Sequence, residues 1–130
     1  TATSAVSLSV DPPTMLVCAN RASSTLPAIR RMGHFCVNIL GAEQQAIAER
    51  FAGVGGQRGE ARYEGLDWID MPSGAPGLVE AEATVDCVVD EMLERHTHMI
   101  ILGGVSAVRI NRHDGGSLVY RRGRFRALME

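Results

Sequence analysis

The 130-residue sequence has little surplus charge of either sign, no long apolar run and no leader pattern at its start. Thirteen basic and fifteen acidic side chains give a formal net charge of −2, which argues against a surface that coats nucleic acid. No apolar run approaches the roughly 20 residues that cross a bilayer as a helix, and no signal-peptide pattern is present. We therefore expect neither a nucleic-acid partner nor a membrane partner.

Paired cysteines are also missing. Cys18, Cys36 and Cys87 are far apart, each lies in an apolar run, and no C-x-x-C motif occurs. An odd number of such isolated cysteines argues against a disulfide framework and against a structural zinc site. We expect reduced core cysteines in a cytoplasmic protein.

The length and the apolar fraction of 45% are typical of one globular domain, here spanning residues 1–130. The chain begins inside a strand pattern and has no initiator methionine. We expect the natural protein to have residues before Thr1.

Alternating and short apolar segments predict about six strands and two short helices. The strands are expected at 1–10, 14–20, 34–40, 79–92, 98–110 and 117–129, and the helices at about 25–32 and 42–52. The last strand is expected to bend at Gly123, and Gly103 marks a bulge or a close backbone approach. Residues 53–77 are expected to form a long loop. This pattern favours a mostly β protein, a β-barrel with helices packed outside it.

Short hydroxyl side chains line one face of the opening strand. With period two, one face carries Ala2, Val6, Leu8 and Val10, with Ser4 as its polar exception, and the other carries Thr1, Thr3, Ala5, Ser7 and Ser9. Such a face suits a close contact with a neighbouring backbone, a turn or a ligand. The residues alone leave these three options open.

The segment VCANRASSTLPAIRR joins a strand to a helix. A helix N-terminus offers free backbone N–H groups and a partial positive charge, and the loop adds short polar side chains and Arg21. This chemistry suits a phosphate ester or a pyrophosphate. The alternative is an ordinary helix cap beside a solvated arginine.

Several other patterns point to no chemistry of their own. The glycines of 53–59 lack the Lys-Ser/Thr of a phosphate loop, so we expect only a mobile loop there. The pair His96 and His98 lacks a third ligand, so we expect no metal site. Neither a G-x-S-x-G motif nor a Cys–His pair for nucleophilic catalysis is present. We expect Glu80, Glu82 and Asp86 to lie on a solvated strand face.

The terminal segment YRRGRFR surrounds Tyr120 and Phe125 with arginines. It suits a basic edge strand that discourages edge-to-edge pairing. It equally suits the mouth of a site for an anionic ligand.

Five segments occur in order along the chain: TATSAVSLSVDPPTMLVCANRASST, HFCVNIL, AERFAG, HMIILGGV and LVYRRGRF. In this order they resemble the flavin reductase family of split-barrel proteins, the small reductase components of two-component flavin monooxygenases. The resemblance covers almost the whole chain. It implies an antiparallel split β-barrel that is dimeric and binds one FMN or FAD noncovalently per subunit near the dimer interface. In the family an additional N-terminal strand and helix normally precede the first of these segments.

The resemblance also implies which residues form the site. Those along the ribityl chain and ring edge of the flavin would be Thr3, Ser4, Ala5, Ser7 and Ser9. Those near the isoalloxazine, chiefly by backbone, would be Cys18, Ala19 and Asn20. The phosphate would be held by Arg21, Ser24 and Thr25, and Arg50 and Phe51 would close over the flavin. The NAD(P)H side would be formed by His98, Tyr120, Arg121, Arg122 and Gly123.

The residue before His98 departs from the family pattern, which commonly has Asp-His where this chain has Thr97-His98. An imidazole without a neighbouring carboxylate is less readily held protonated.

The function implied is an NAD(P)H:flavin oxidoreductase that supplies reduced FMN or FAD to a separate monooxygenase. Hydride transfer between nicotinamide and flavin is chemistry of the cofactors, so no catalytic acid–base pair is expected from the protein. The alternatives are a flavin-binding electron carrier or sensor on the same barrel, and a related barrel that binds haem or a pyridoxal-type phosphate.

Overall fold

The computed structural model describes residues 1–2, 4–111 and 114–129. In these residues nine strands and two α-helices form. The strands are Ser4–Val10 (β1), Pro13–Asn20 (β2), His34–Ile39 (β3), Trp68–Asp70 (β4), Pro76–Leu78 (β5), Ala83–Arg95 (β6), His98–Ile110 (β7), Ser117–Arg121 (β8) and Arg124–Leu128 (β9). The helices are Thr25–Met32 (α1) and Gln45–Phe51 (α2), and two short 3-10 helices span Ala42–Gln44 and Gly59–Tyr63.

Antiparallel pairing organises the strands into one five-stranded sheet, in the order β1-β2-β7-β6-β3, and two ribbons, β4-β5 and β8-β9. This confirms the mostly β, antiparallel fold class with a few helices. Among the described residues the sheets stay open, because strand pairing does not join the five-stranded sheet to the ribbons in a closed ring.

The core lies between the five-stranded sheet and α1. Val17, Phe35, Cys87 and Ile101 contribute from four strands, and Leu26 and Ile29 contribute from the helix. A Cβ atom on Gly103 would lie 2.6 Å from the Phe35 ring. Gly103 therefore makes room for side chains of the core, whereas the prediction was a bulge or a close backbone approach.

Two segments form more structure than the sequence indicates. The expected loop at 53–77 contains the 3-10 helix Gly59–Tyr63 and most of the β4-β5 ribbon. The expected bent strand at 117–129 is a hairpin that turns at Arg122 and Gly123, both with positive φ. The structure therefore has nine strands where about six were predicted, because β4 and β5 form in and beside the expected loop and β8 and β9 replace one expected strand.

The predicted solvated face of β6 is wrong for Asp86, which is fully buried together with Thr84. The Asp86 carboxylate accepts hydrogen bonds from the Ser73 backbone N–H (2.8 Å), the Ser73 hydroxyl (2.5 Å) and the Ser106 hydroxyl (2.6 Å). The turn at residues 71–75 covers this side of the strand. Strand alternation separates two faces, but it does not indicate that a turn from another part of the chain will cover the polar one.

The predicted faces of the opening strand hold only up to Ser7. Ser7 pairs with Met15 and Ser9 pairs with Thr14, so the strand has an irregular register at Leu8. Directly paired residues point to the same side of a sheet, which puts Ser9 on the face opposite Ser7. β1 is also an edge strand, and Val6, Leu8 and Val10 are 54, 54 and 87% exposed.

The second helix starts later than expected. Residues 42–44 form a 3-10 helix, which has three residues per turn, so the buried face differs from the stripe of Ala46, Ile47 and Phe51 that helical spacing predicts. As a result Ala48 and Gln44 are buried, whereas Ala46 is exposed. The first helix, predicted at 25–32, is confirmed as Thr25–Met32, and Gly33 caps its C-terminus with a φ of 73°.

Candidate functional site

A cleft of about 490 Å³ opens at the N-terminus of α1. Its first wall contains Asn20, Ser24 and Thr25, and its second wall comes from the end of α2 and the segment that follows. Four residues predicted to contact a flavin, these three and Phe51, therefore meet in one concave surface.

The first wall presents a helix N-terminus flanked by small polar groups. Ser24 is the N-cap residue, and its side chain makes no capping hydrogen bond. The Asn20 side-chain oxygen accepts a hydrogen bond from the Ala22 N–H (2.9 Å), and the Ser23 hydroxyl accepts one from the Thr25 N–H (3.2 Å). Within the described residues no hydrogen bond of the Ser24 hydroxyl is found, so this group can face an anion at the positive end of the helix dipole.

An aromatic cluster of Phe51, Tyr63 and Trp68 fixes the second wall. The ring centroids are 5.2 Å apart for Phe51 and Tyr63, 5.8 Å for Phe51 and Trp68, and 4.8 Å for Tyr63 and Trp68. The Trp68 indole N–H also donates to the Tyr63 carbonyl at 3.2 Å. The cluster attaches the 3-10 helix Gly59–Tyr63 to the end of α2.

Arg50 stabilises the same wall by hydrogen bonds to the backbone of the segment that follows α2. Its guanidinium donates to the Glu64 carbonyl (2.7 Å) and to the Arg62 carbonyl (3.4 Å). These bonds hold the segment after α2 in a curve, and the side chain itself is half-buried.

Two cations of the cleft, Arg58 and Arg62, were missed by the sequence analysis. The Arg62 guanidinium lies 5.6 Å from the centre of the Phe51 ring, and its Nε donates to the Gly59 carbonyl at 3.2 Å. Their signal was the run GQRGEAR, which alternates glycines with arginines. Although these glycines match no phosphate loop, Gly53 and Gly59 line the cleft together with the two cations.

Arg21, predicted to hold a phosphate, lies outside this cleft lining. Its guanidinium makes an ion pair with Glu94 at 2.5 Å and donates to the His96 carbonyl at 3.1 Å. The side chain links the end of β2 to the turn between β6 and β7.

The remaining flavin-side residues lie along β1 and β2. Ala5 pairs with Val17 and Ser7 pairs with Met15, so both point to the same side as the core, and Ser4 pairs with Cys18 on the other side. Ala19 is buried. These strands lead to the cleft through Asn20, but the lining of the cleft does not include Ser4, Ala5, Ser7, Ser9, Cys18 or Ala19. Thr3 lies outside the described residues.

His98 is directly beside the cleft residue Asn20. The two residues are paired between β2 and β7, and the Thr97 hydroxyl oxygen lies 2.8 Å from the His98 Nδ1. A hydroxyl therefore takes the position next to the imidazole that a carboxylate commonly has in the family. Among the described residues no group of three or more histidine, cysteine or acidic side chains could hold a metal ion.

The β8-β9 hairpin, which carries Tyr120 to Gly123, is attached at the opposite end of the sheet. Asn20, His98 and Arg95 are paired at one end, whereas Ile39, Ala83 and Ile110 are paired at the other. The hairpin joins the second end through a bridge between Gly41 and Ser117 and a hydrogen bond between the Leu118 N–H and the Leu40 carbonyl. β6 runs 13 residues between these ends, which is about 40 Å of extended strand.

Two of the cysteines lie in the middle of the sheet, where they are poor nucleophiles. Burial, and to a lesser degree the charge of Asp86, raises the pKa of the Cys36 thiol to about 12 and that of Cys87 to about 11. Both thiols stay protonated at neutral pH. Cys87 is fully buried and Cys18 and Cys36 are half-buried.

No helix of the described residues is long and apolar enough to span a membrane.

Comparison with protein families gives one match that spans almost the whole chain. The sequence profile described as "Flavin reductase like domain" matches residues 1–129. The predicted family resemblance is thereby confirmed.

Three similar proteins illustrate the match. The reductase subunit HsaB of a flavin-dependent monooxygenase from Rhodococcus jostii is 36% identical over 114 residues, which are 88% of this chain and 56% of HsaB. The FMN reductase (NADH) RutF 2 from Methylorubrum extorquens is 42% identical over 108 residues, 83% of this chain and 62% of that protein. The crystal structure of a nitrilotriacetate monooxygenase component B homologue from Mycobacterium thermoresistibile superposes with a TM-score of 0.88 at 30% identity, covering 98% of this chain and 69% of that one. The chain thus spans about three-fifths of the length of the first two relatives.

Proposed function

We propose that this chain, which belongs to the flavin reductase-like family, is part of an NAD(P)H:flavin oxidoreductase. In this proposal NADH or NADPH reduces noncovalently bound FMN or FAD, and the reduced flavin passes to a separate monooxygenase. The family match over residues 1–129 carries the proposal. The name of one relative, a monooxygenase reductase subunit, supports the transfer of reduced flavin to a monooxygenase. The name of another, an NADH-dependent FMN reductase, supports the reduction of flavin by a nicotinamide.

The cleft at the N-terminus of α1 fits the phosphate end of a flavin. It combines a helix N-terminus with the hydroxyls of Ser24 and Thr25 and the guanidinium groups of Arg58 and Arg62. Phosphate esters bind to this set of donors. We assign the phosphate contacts to these four residues, and Arg21 becomes a residue that positions the loop through Glu94.

A bound flavin supplies the hydride-accepting ring, so the chain has only to bind, orient and exclude water. We propose that the backbone of Cys18, Ala19 and Asn20 borders the ring, with the hydroxyl residues of β1 beside it. Arg50 fixes the wall that carries Phe51. Burial raises the pKa of the Cys36 and Cys87 thiols, so neither is a nucleophile at neutral pH. This is consistent with a chain that binds the flavin while the flavin supplies the redox chemistry.

We propose that the protein works as a homodimer. The predicted NAD(P)H-side residues His98 and Tyr120 lie on elements attached at opposite ends of one sheet. A second copy can bring its hairpin to the His98 end. The exposed apolar side chains of Val6, Leu8 and Val10 on the edge strand supply surface for such a contact. Since reduced nicotinamides are intracellular substrates, the proposal includes a cytoplasmic location.

Oxidation of NADH or NADPH in the presence of excess FMN or FAD tests the function. We expect the absorbance of the reduced nicotinamide to fall only when both flavin and protein are present. Absence of flavin-dependent oxidation with either nicotinamide would contradict the proposal. Flavin that stays bound through gel filtration without turnover would instead indicate an electron carrier or sensor. The absorption spectrum of the purified protein tests the haem and pyridoxal alternatives.

A further inference from the structure

The β8-β9 hairpin concentrates positive charge on one of its two faces. Residues that pair directly across an antiparallel ribbon point to the same side. Arg121 pairs with Arg124, and Arg126 pairs with Val119, so the three arginines share one face, which we name the arginine face. Tyr120 and Phe125 pair on the other face, with ring centroids 4.9 Å apart.

No ion pair to the arginine face is found within the described part of the chain. The single ion pair found there joins Arg21 to Glu94, far from the hairpin in the sheet. Among the residues that the structure describes, the Arg126 guanidinium donates to the neighbouring Phe125 carbonyl alone, at 3.0 Å. Like charges placed directly opposite each other destabilise a sheet, so the pair of Arg121 and Arg124 works against the hairpin that carries it.

The turn of the hairpin adds a second unfavourable feature. Arg122 and Gly123 have φ angles of 52° and 75°, the left-handed conformation that two-residue hairpin turns require. Asn, Asp and Gly are favoured at the first of these positions, whereas an arginine is strained there. Arg122 in the turn and the three arginines of the arginine face thus destabilise the hairpin by strain and by charge repulsion. No ion pair within the described chain offsets this destabilisation, which suggests a ligand outside it.

A concave surface of about 670 Å³ runs along these residues. It is lined by all four arginines together with Val119, Ala127 and Leu128, and its volume is in the range of small-molecule sites. Planar guanidinium groups bind phosphate oxygens in pairs of hydrogen bonds. The site therefore suits a nucleotide with more than one phosphate group.

We propose that the arginine face binds the phosphates of the adenosine half of the dinucleotide and selects NADPH over NADH. This inference rests on the proposed function. NADPH carries a 2′-phosphate monoester that NADH lacks, with a charge between about −1.5 and −2 at neutral pH. Arg124 and Arg126 have no assigned role in the flavin cleft, and they would hold this extra group.

Binding of adenosine 2′,5′-bisphosphate, measured by titration calorimetry on the protein without flavin, tests the inference. We expect the double variant Arg124→Gln/Arg126→Gln to bind this probe at least tenfold more weakly than the unmodified protein. The control Arg30→Gln/Arg31→Gln, on the exposed end of α1, removes the same charge and should leave the affinity unchanged. The variant Arg124→Lys/Arg126→Lys keeps the charge without the planar guanidinium group. Its affinity for the probe should lie between those of the unmodified protein and the Gln double variant.

Steady-state kinetics give the second readout. We expect the hairpin double variant to raise the KM for NADPH at least tenfold, with a smaller change for NADH and a similar kcat. Thermal unfolding of the variants checks that the hairpin still folds.

Three outcomes would overturn the inference. The first is equal affinity of the double variant and the control for the bisphosphate. The second is ADP binding as tightly as the bisphosphate, which would indicate recognition of a pyrophosphate that NADH and FAD share. The third concerns polyaspartate, a probe for acidic protein surfaces. If the double variant lost affinity for polyaspartate but kept its affinity for the bisphosphate, the face would be assigned to an acidic protein partner. Failure of NADH and NADPH oxidation would refute the proposed function, and the bisphosphate titration would still decide this inference.

Discussion

The two ends of the five-stranded sheet use arginine in opposite ways. At the cleft end Arg21 is paired with Glu94, and Arg50 binds the carbonyls of Arg62 and Glu64. At the hairpin end Arg121 and Arg124 face each other, and within the described chain neither forms an ion pair with a carboxylate. Arginines of the first kind fix the geometry of the chain, whereas those of the second kind remain available to a ligand. Replacing them should therefore have opposite effects on stability.

The middle of the sheet connects these two ends. Within it, we expect stability to be most sensitive to substitution of Asp86. Asp86→Asn replaces an oxygen that accepts hydrogen bonds with an NH₂ group that faces the donors of Ser73 and Ser106. We expect the free energy of unfolding to fall by about 3 kcal/mol, measured by urea denaturation. Asp90→Asn, at an exposed position of the same strand, should change it little. Similar losses for the two variants would refute the structural role of Asp86.

Arg50→Met should have the next largest effect. It removes the bonds to the Glu64 and Arg62 carbonyls but keeps an apolar stem. We expect a loss of about 2 kcal/mol in the free energy of unfolding, together with weaker FMN binding, because the second wall of the cleft loosens. Arg30→Met is the matched exposed control. An unchanged FMN affinity would show that Arg50 does not shape the site.

Arg124→Gln should have the smallest effect, and in the opposite direction. Removing one of two facing guanidinium groups should raise the free energy of unfolding by about 0.5 kcal/mol at low salt. The gain should shrink at high ionic strength, because salt already screens the repulsion. A loss of stability that does not depend on salt would mean that Arg124 has a structural partner, and the contrast between the two ends would disappear.

Strong local patterns allowed much of the fold to be predicted. β7 occupies the predicted residues 98–110, and α1 occupies 25–32. Half of the cleft was predictable as well, because Asn20, Ser24 and Thr25 lie within one strand–loop–helix segment.

The other half depends on contacts between distant parts of the chain. Arg58 and Arg62 reach the cleft because the aromatic cluster and the hydrogen bonds of Arg50 fold their segment back onto α2. Asp86 has a polar position in an alternating strand, and the turn at 71–75 and Ser106 of β7 contact its carboxylate. No local pattern contains that information.

Comparison of FMN with riboflavin tests the central claim most directly. Riboflavin lacks the phosphate, so the ratio of the two dissociation constants reports the phosphate contacts of the cleft alone. We predict that FMN binds much more tightly than riboflavin and that Ser24→Ala/Thr25→Ala reduces this ratio about tenfold, with riboflavin affinity nearly unchanged. Equal losses for FMN and riboflavin would contradict the assignment of this helix N-terminus to the flavin phosphate.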